Sequence, residues 1–396
     1  MKLSILLTLA AAVTACHSAT VHHEHARQAE PSPLTLLPDA VAKGAVCLDG
    51  TAPGYYWRPG TGTGKNKWIV HQEGGGWCYN EDDCVGRSKT RLGSSKYFPK
   101  SMVFGGLLSD DCTANPDFCT YNVVFLPYCD GASFSGNKDT PLEWKGTTLH
   151  FRGKRILDSI FAALAEHFST AEEFILTGCS AGGLATYLHA DYPPTKIPST
   201  TKYAAIADAG YFIDALDEDG QQLIRPKYQY VYKMQNASSG VNQDCITKTP
   251  EADQWKCFFA QYTMPHIKSR FFALNSQYDT WQLPNILNLH CLPPKCEGKD
   301  ETAFEGWRAT FLAAFQPVIN GSSTTGTFAD ACLTHCQSMS NAWSEYKIGG
   351  QLMRETFADW YFQRTTGKGR EMDGPYPSNP TCPHHVTELD FATNVV

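Results

Sequence analysis

The sequence predicts an α/β fold built around a mostly parallel sheet, and three observations predict it. Strand-like and helix-like segments alternate through the middle of the 396-residue chain, the rhythm of a sheet whose strands are joined by helices. Hydrophobic residues make up 42% and charged residues 18% of the chain, enough apolar material for a sizeable core. No composition break, long low-complexity linker or fixed-period repeat divides residues 40–396. That stretch therefore reads as one domain.

The elements follow in order. "KWIVHQE" (67–73) and "YNVVFLPYC" (121–129) are short β-rich runs bounded by turn residues. Residues 149–168 place Ile156, Ile160, Phe161, Leu164 and Phe168 at helical spacing. A strand "EFILTG" (173–178), a helix "GGLATYLHAD" (182–191) and the strands "KYAAIADAG" (202–210) and "RFFALNSQYD" (270–279) come next. Cysteine-bearing excursions are expected at 78–120, 236–260 and 285–335.

A net charge of −7 and the lack of a basic stripe exclude a nucleic-acid binder. Past the N-terminus no apolar run is long enough to span a bilayer. Residues 1–15 read as a secretory signal, with Lys2 supplying the charge, "LSILLTLAAAV" the apolar core and Val13-Thr14-Ala15 the cleavage site. A lipoprotein signal with Cys16 lipidated fits the same letters. Residues 16–39 read as a flexible leader whose His22, His23 and His25 lack anything to fix a metal geometry. Of the 15 cysteines, 14 lie beyond Cys16, and in an exported chain they imply disulfides rather than zinc. Asn236-Ala-Ser238 and Asn320-Gly-Ser322 are acceptor sequons that suggest surface loops.

The chemistry centres on "GCSAGG" (178–183). An apolar run ends just before it and an amphipathic one starts just after. A tight packing turn would suit these letters. So would a nucleophile elbow, in which the flanking glycines let backbone pass closely, Ser180 stands above the sheet and the Ala181 N–H faces the same spot. The context favours the elbow and an α/β-hydrolase-like fold. Cys179 is a rival nucleophile by chemistry but precedes the apex.

A serine hydroxyl needs a base, and the base an orienting carboxylate, in the chain order Ser, Asp or Glu, His. His189 lies on the elbow helix, and His384/His385 lie in a proline-rich tail. His335, in "ACLTHCQ", is bracketed by Cys332 and Cys336, where a disulfide could fix its loop. Asp279 ends a strand, where a triad carboxylate belongs; Asp208, one strand earlier, is its competitor. Gly74–Gly76, in "VHQEGGGWCYN", follow an early strand and supply backbone N–H groups for an oxyanion. All of this chemistry runs without a cofactor or metal.

Together, "VHQEGGGWCYNEDDC", "LPYCDGASFSG", "GCSAGGLATYLHAD", "ADAGYFID", "NSQYDTWQLPNIL" and "CLTHCQ" resemble the pectin acetylesterase and Notum family of serine carboxylesterases, over about residues 45–365. The spelling is closer to the pectin acetylesterase branch. By this resemblance Ser180 matches the nucleophile, Asp279 the acid and His335 the base, and Gly75, Gly76 and Ala181 match oxyanion donors. Trp77, Tyr128, Asp130 and Ser133 are the expected substrate-binding residues, with "YCDGASFSG" (128–136) as a polar wall of the pocket. Related sequences often carry cysteine where Ala190 stands, so Cys179 or another thiol could be left unpaired.

The resemblance implies a secreted monomer acting on an ester, first of all O-acetyl groups of galacturonan in the cell wall. A polyanionic substrate would need a local basic surface, for which Lys65, Lys67, Arg152, Lys154 and Arg155 are available. The alternatives are a Notum-like deacylase of a lipidated secreted protein, with a deep apolar pocket, and a non-catalytic binding protein on a hydrolase scaffold.

Overall fold

The run Glu173–Cys179 is buried at all but its first residue, which a strand achieves only inside a sheet covered on both faces. Its alternate side chains serve two cores: Phe174 and Leu176 join one apolar cluster and Ile175 the other. The computed structural model describes residues 31–364 and 369–383. The signal segment, Cys16, the leader histidines and His384/His385 lie outside the described residues.

The strands are β1 (Ser32–Leu36), β2 (Gly54–Arg58), β3 (Lys67–Gln72), β4 (Ser101–Met102), β5 (Asn122–Leu126), β6 (Leu142–Trp144), β7 (Thr147–Leu149), β8 (Glu173–Cys179), β9 (Lys202–Asp208), β10 (Phe271–Leu274), β11 (Thr325–Ala329), β12 (Lys347–Ile348), β13 (Gln351–Leu352) and β14 (Arg370–Met372). Ten of them form one sheet in the order β14-β11-β10-β9-β8-β3-β5-β2-β1-β4. From β14 to β5 every neighbouring pair is parallel, and β2, β1 and β4 extend the edge antiparallel. β6 with β7, and β12 with β13, are small hairpins.

One face is covered by the helices Gly153–Ala163 and Ala181–His189, through Ile156, Leu157, Ile160, Leu184 and Leu188. Phe357, Trp360 and Tyr361 of the helix Met353–Phe362 cover the other.

The expected strands and helices of the middle are present, but two strands are shorter than expected: the run 121–129 is a strand only over Asn122–Leu126, and the run 270–279 only over Phe271–Leu274, which leaves Asp279 in the loop that follows. The expected helix over 149–168 begins later, at Gly153, and breaks at Leu164 before a short turn of helix, Ala165–Phe168. Two expectations need revision. Residues 32–36, expected within the leader, form β1, which pairs with both β2 and β4. The excursion at 285–335 is largely regular, holding the helix Gly298–Ala314 and the buried strand β11.

All fourteen cysteines beyond Cys16 are paired. Cys78–Cys84, Cys112–Cys119, Cys245–Cys257 and Cys291–Cys296 are local pins within the expected excursions. Cys332 and Cys336 do not bond to each other; Cys332 bonds Cys382 and Cys336 bonds Cys179. Cys179 is therefore not a spare thiol, and it is no nucleophile. Among the described residues no helix is long and apolar enough to cross a membrane.

Candidate active site

The site lies at the C-terminal ends of β3, β8, β9, β10 and β11, where the parallel strands release their loops. Ser180 follows β8 directly and has φ 59° and ψ −126°, a strained conformation for a residue with a side chain. Two hydrogen bonds hold it there, from its N–H to the Asp208 carbonyl (3.0 Å) and from the Leu184 N–H to its own carbonyl (2.8 Å). The glycines are needed for close approach: a Cβ on Gly182 would lie 1.9 Å from the Gln72 carbonyl oxygen, and one on Gly178 2.2 Å from that of Gly182. A plain packing turn would not require the serine itself to be strained.

Asp279 and His335 meet. His335 Nδ1 lies 2.8 Å from Asp279 Oδ2, while Asp279 Oδ1 accepts the N–H groups of Trp281 (2.9 Å) and Gln282 (3.0 Å). Both side chains are almost fully buried, and the buried His335 Nε2 has no hydrogen-bond partner. Burial by itself would lower the His335 pKa, but the charge and hydrogen bond of Asp279, with the charge of Asp208, outweigh it and raise the pKa above the usual histidine value.

Two links join the elbow to the histidine loop. Cys179, just before Ser180, is bonded to Cys336, just after His335. Asp208 uses its carbonyl for the Ser180 N–H and its Oδ2 for the Gln337 N–H (2.7 Å), the Ser338 N–H (2.6 Å) and the Ser338 hydroxyl (2.7 Å). Burial pushes the Asp208 pKa up to about 6. Asp208, the rejected acid candidate, is thus part of the site as its clamp. The motif "ADAG" offered no signal for this, since the donors arrive from 130 residues away. His189 is buried, and that burial pushes its pKa down to about 3.

The glycine loop packs beside the nucleophile: a Cβ on Gly74 would lie 2.8 Å from that of Ser180. Gly75 and Gly76 have φ values of 134° and 64°, which glycine adopts freely. The Gly75 carbonyl accepts from Arg87 Nη1 (2.8 Å) and the Gly76 carbonyl from the Tyr128 hydroxyl (2.9 Å). In a trans peptide the next N–H points the opposite way, so these contacts orient the N–H groups of Gly76 and Trp77. The sequence reading named Gly75 and Gly76. The anchored carbonyls are those of Gly75 and Gly76, so the peptide N–H groups whose direction they set belong to Gly76 and, beyond the residues named from sequence, to Trp77.

The expected polar wall is different from a pocket surface. Tyr128, Asp130 and Ser133 are fully buried and Trp77 nearly so. Ser133 Oγ accepts from Trp77 Nε1 (2.8 Å) and donates to the Ala181 carbonyl (2.7 Å), and the Ser133 N–H donates to the Tyr128 hydroxyl (2.9 Å). Asp130 Oδ2 accepts the N–H groups of Ala132 and Phe134. Most of these groups are buried and bonded within the protein, to backbone or to one another, so they line the interior behind the site and not an open pocket surface. Beside them the Trp77 ring meets Phe212, Tyr228 and Trp281 edge-on at 5.0, 5.0 and 5.6 Å, and Phe212 also lies 6.3 Å from the His335 ring.

The expected basic surface does not assemble. Lys67 pairs with Glu173, Lys154 with Asp158 and Arg155 with Asp139, and Arg152 donates to the Asp139 carbonyl. Lys65 and Lys67 stand at the start of β3, the sheet end opposite Ser180.

A strained serine between glycines, a buried histidine–carboxylate pair and an anchored glycine loop, on a mostly parallel sheet, place the chain among the α/β-hydrolase-like carboxylic ester hydrolases. The particular family follows from comparison with known proteins. Residues 25–383 match the pectinacetylesterase family, and the chain belongs to it. It is 38% identical to pectin acetylesterase 11 of Arabidopsis thaliana over 90% of this chain and 94% of that one. It is 28% identical to the palmitoleoyl-protein carboxylesterase Notum of Schmidtea mediterranea, over 85% of this chain and 64% of that one. Among solved structures, the Wnt deacylase Notum from Drosophila superposes with a TM-score of 0.77 at 22% identity, over 89% of this chain and 100% of that chain.

Proposed function

We propose that the protein is a secreted serine esterase that removes O-acetyl groups from pectin, with Ser180 as nucleophile, His335 as base and Asp279 as the carboxylate that orients it. The observation that carries the reading is the His335–Asp279 contact at 2.8 Å, with Nε2 left unpartnered and the histidine loop tied to the serine elbow by Cys179–Cys336.

The chemistry follows from these groups. Ser180 Oγ attacks the ester carbonyl as its proton passes to His335 Nε2. The N–H groups of Gly76, Trp77 and Ala181 hold the oxyanion. The sugar hydroxyl leaves with the proton from Nε2, and acetyl stays on Ser180. Water then attacks the acyl-serine, gives a proton to Nε2, and acetate departs as Oγ regains that proton. No step needs a metal or cofactor.

Two observations favour a short acyl group. The relatives at 37–38% identity are named pectin acetylesterases. Beside the glycine loop Phe212 packs on Trp281 at 4.9 Å, and Phe212 and Tyr228 are fully buried, which favours a small acyl group over a long chain. In an open apolar cavity octanoate would gain up to about 5 kcal/mol over acetate, at ~0.8 kcal/mol per methylene. The test compares p-nitrophenyl acetate, butyrate, octanoate and palmitate under detergent-controlled conditions, followed by acetate release from acetylated pectin, with Ser180→Ala as control. We expect kcat/KM to fall beyond a few carbons and Ser180→Ala to lose activity by about 10⁴-fold or more. A maximum at octanoate or longer would favour a deacylase of lipidated protein instead.

A further inference from the structure

The sequence gives Arg87 no role, and its surroundings are unlike those of a surface arginine. It is the last residue of the helix Glu81–Arg87, which begins five residues after the glycine loop. Asn80 caps that helix through its Oδ1 on the Asp83 N–H (2.9 Å), and Cys78–Cys84 ties it to the loop. The guanidinium then reaches back. Nη1 donates to the Gly75 carbonyl (2.8 Å), Nη2 lies 3.5 Å from the Gly76 carbonyl, and Nε donates to the Leu92 carbonyl (3.0 Å). Its plane also lies over the ring of Tyr128, 4.9 Å from the centroid, whose hydroxyl holds the Gly76 carbonyl.

We infer that Arg87 is a positioning residue for the oxyanion hole. A triple-glycine loop has many accessible conformations, including ones in which a carbonyl oxygen turns towards the serine and would repel the developing negative charge. A planar, permanently charged fork matches two adjacent carbonyls and holds both away from Ser180. The opposite sides of the same peptides, the N–H groups of Gly76 and Trp77, are then fixed towards the reacting carbonyl. Lysine, a compact charge with three donors but no planar fork, cannot stack on Tyr128 while reaching both carbonyls. Arg87 touches neither substrate nor His335, so its effect should appear only where charge develops on the substrate oxygen.

This inference rests on the serine-esterase reading, and the experiment separates the two. Arg87→Met and Arg87→Lys would be assayed on p-nitrophenyl acetate beside Ser180→Ala, together with binding of a trifluoromethyl ketone whose adduct carries an oxyanion. For Arg87→Met we expect kcat to fall about 10²-fold, in the range for loss of one oxyanion donor. KM should stay within about threefold, analogue affinity should fall in parallel with kcat, and the acid limb of the pH profile should not move. Arg87→Lys should be intermediate. If Arg87→Met does not fold, Tyr128→Phe, which releases only the Gly76 carbonyl and the Ser133 N–H, should lower kcat and analogue affinity together by a smaller factor. An inactive Ser180→Ala alongside an Arg87→Met that keeps its kcat, or loses melting temperature alone, overturns the role of Arg87. An active Ser180→Ala overturns the esterase reading itself.

Discussion

The Cys179–Cys336 disulfide should be both the costliest crosslink to lose and the one that registers the catalytic residues. It spans 157 residues of sequence, and the chain-entropy treatment assigns closure of such a loop about 5 kcal/mol at 25 °C. The Cys112–Cys119 bond spans 7 residues and by the same relation contributes about 2 kcal/mol. An unfolding entropy of about 2.1 cal/mol/K per residue, over roughly 350 ordered residues, converts these to melting shifts of about 7 and 3 °C. Double alanine variants, which leave no free thiol, would be compared by calorimetry and by kcat on p-nitrophenyl acetate well below both transitions. For Cys179→Ala/Cys336→Ala the histidine loop loses its covalent tie to the elbow, and a displacement near 1 Å costs about 10²-fold in rate. We expect a 10- to 100-fold fall in kcat, against less than twofold for Cys112→Ala/Cys119→Ala. Equal kcat values in the two variants would refute the registering role, whatever the melting temperatures.

Three further outcomes can be checked directly. The His335 pKa is raised above the usual histidine value and the base must be neutral, so kcat/KM should fall as pH drops through a midpoint above about 6.5. Asp208→Asn removes a charge that supports that rise, so the limb should move to lower pH. Because burial raises the folded pKa of Asp208 to about 6, its contribution to stability is present below its unfolded value and lost as pH rises through 6. The melting temperature of Asp208→Asn relative to wild type should therefore improve between pH 5 and 7.5, which differential scanning at several pH values would show; a constant difference would contradict it. Activity should also survive a strong chelator. Among the described residues, Cys332 and Cys382 beside Asp330 are spent on a disulfide, and Glu218, near His290 and Asp300, already has the Lys299 ammonium 3.6 Å away. Loss of activity restored by one particular ion would count against a triad that supplies its own nucleophile.

Much of the fold was legible because strands and helices are signals carried by neighbouring residues. "EFILTGCSAGG" reads as strand then elbow because apolar burial and glycine spacing are local, whereas Asp279, expected to end a strand, lies in the loop five residues beyond the end of β10 at Leu274. What the sequence hid depends on distant partners. "SPLTL" looks like leader, but β1 becomes a strand once the edge of β2 is there to pair with. "TGTFA" lacks a strand's bulk, yet β11 is buried, because Gly326 leaves room for the rings of Phe272 and Trp360. The crosslinks of Cys332 and Cys336 run to partners 50 and 157 residues away, so their closeness in sequence pointed to the wrong bond. Asp130 and Ser133 have polar side chains, but whether such a group faces substrate or backbone is settled by the surrounding fold.

The two carboxylates that competed for the acid role divide the work between them. Asp208 ends β9, next to the nucleophile strand, and its Oδ2 already takes three donors from the loop behind His335. That oxygen is spent on the loop, Oδ1 is buried without a partner, and burial has raised the Asp208 pKa besides. Asp279 lies beyond β10, one strand further out. Two backbone N–H groups fix its Oδ1 and leave Oδ2 for the imidazole. One carboxylate therefore sets where the histidine loop sits, and the other sets which way the ring faces and supports its charged form. In the proposed mechanism a base that takes a proton from Ser180 and returns it to the leaving group needs both conditions at once, and adjacent strands of a parallel sheet bring both carboxylates to the same end.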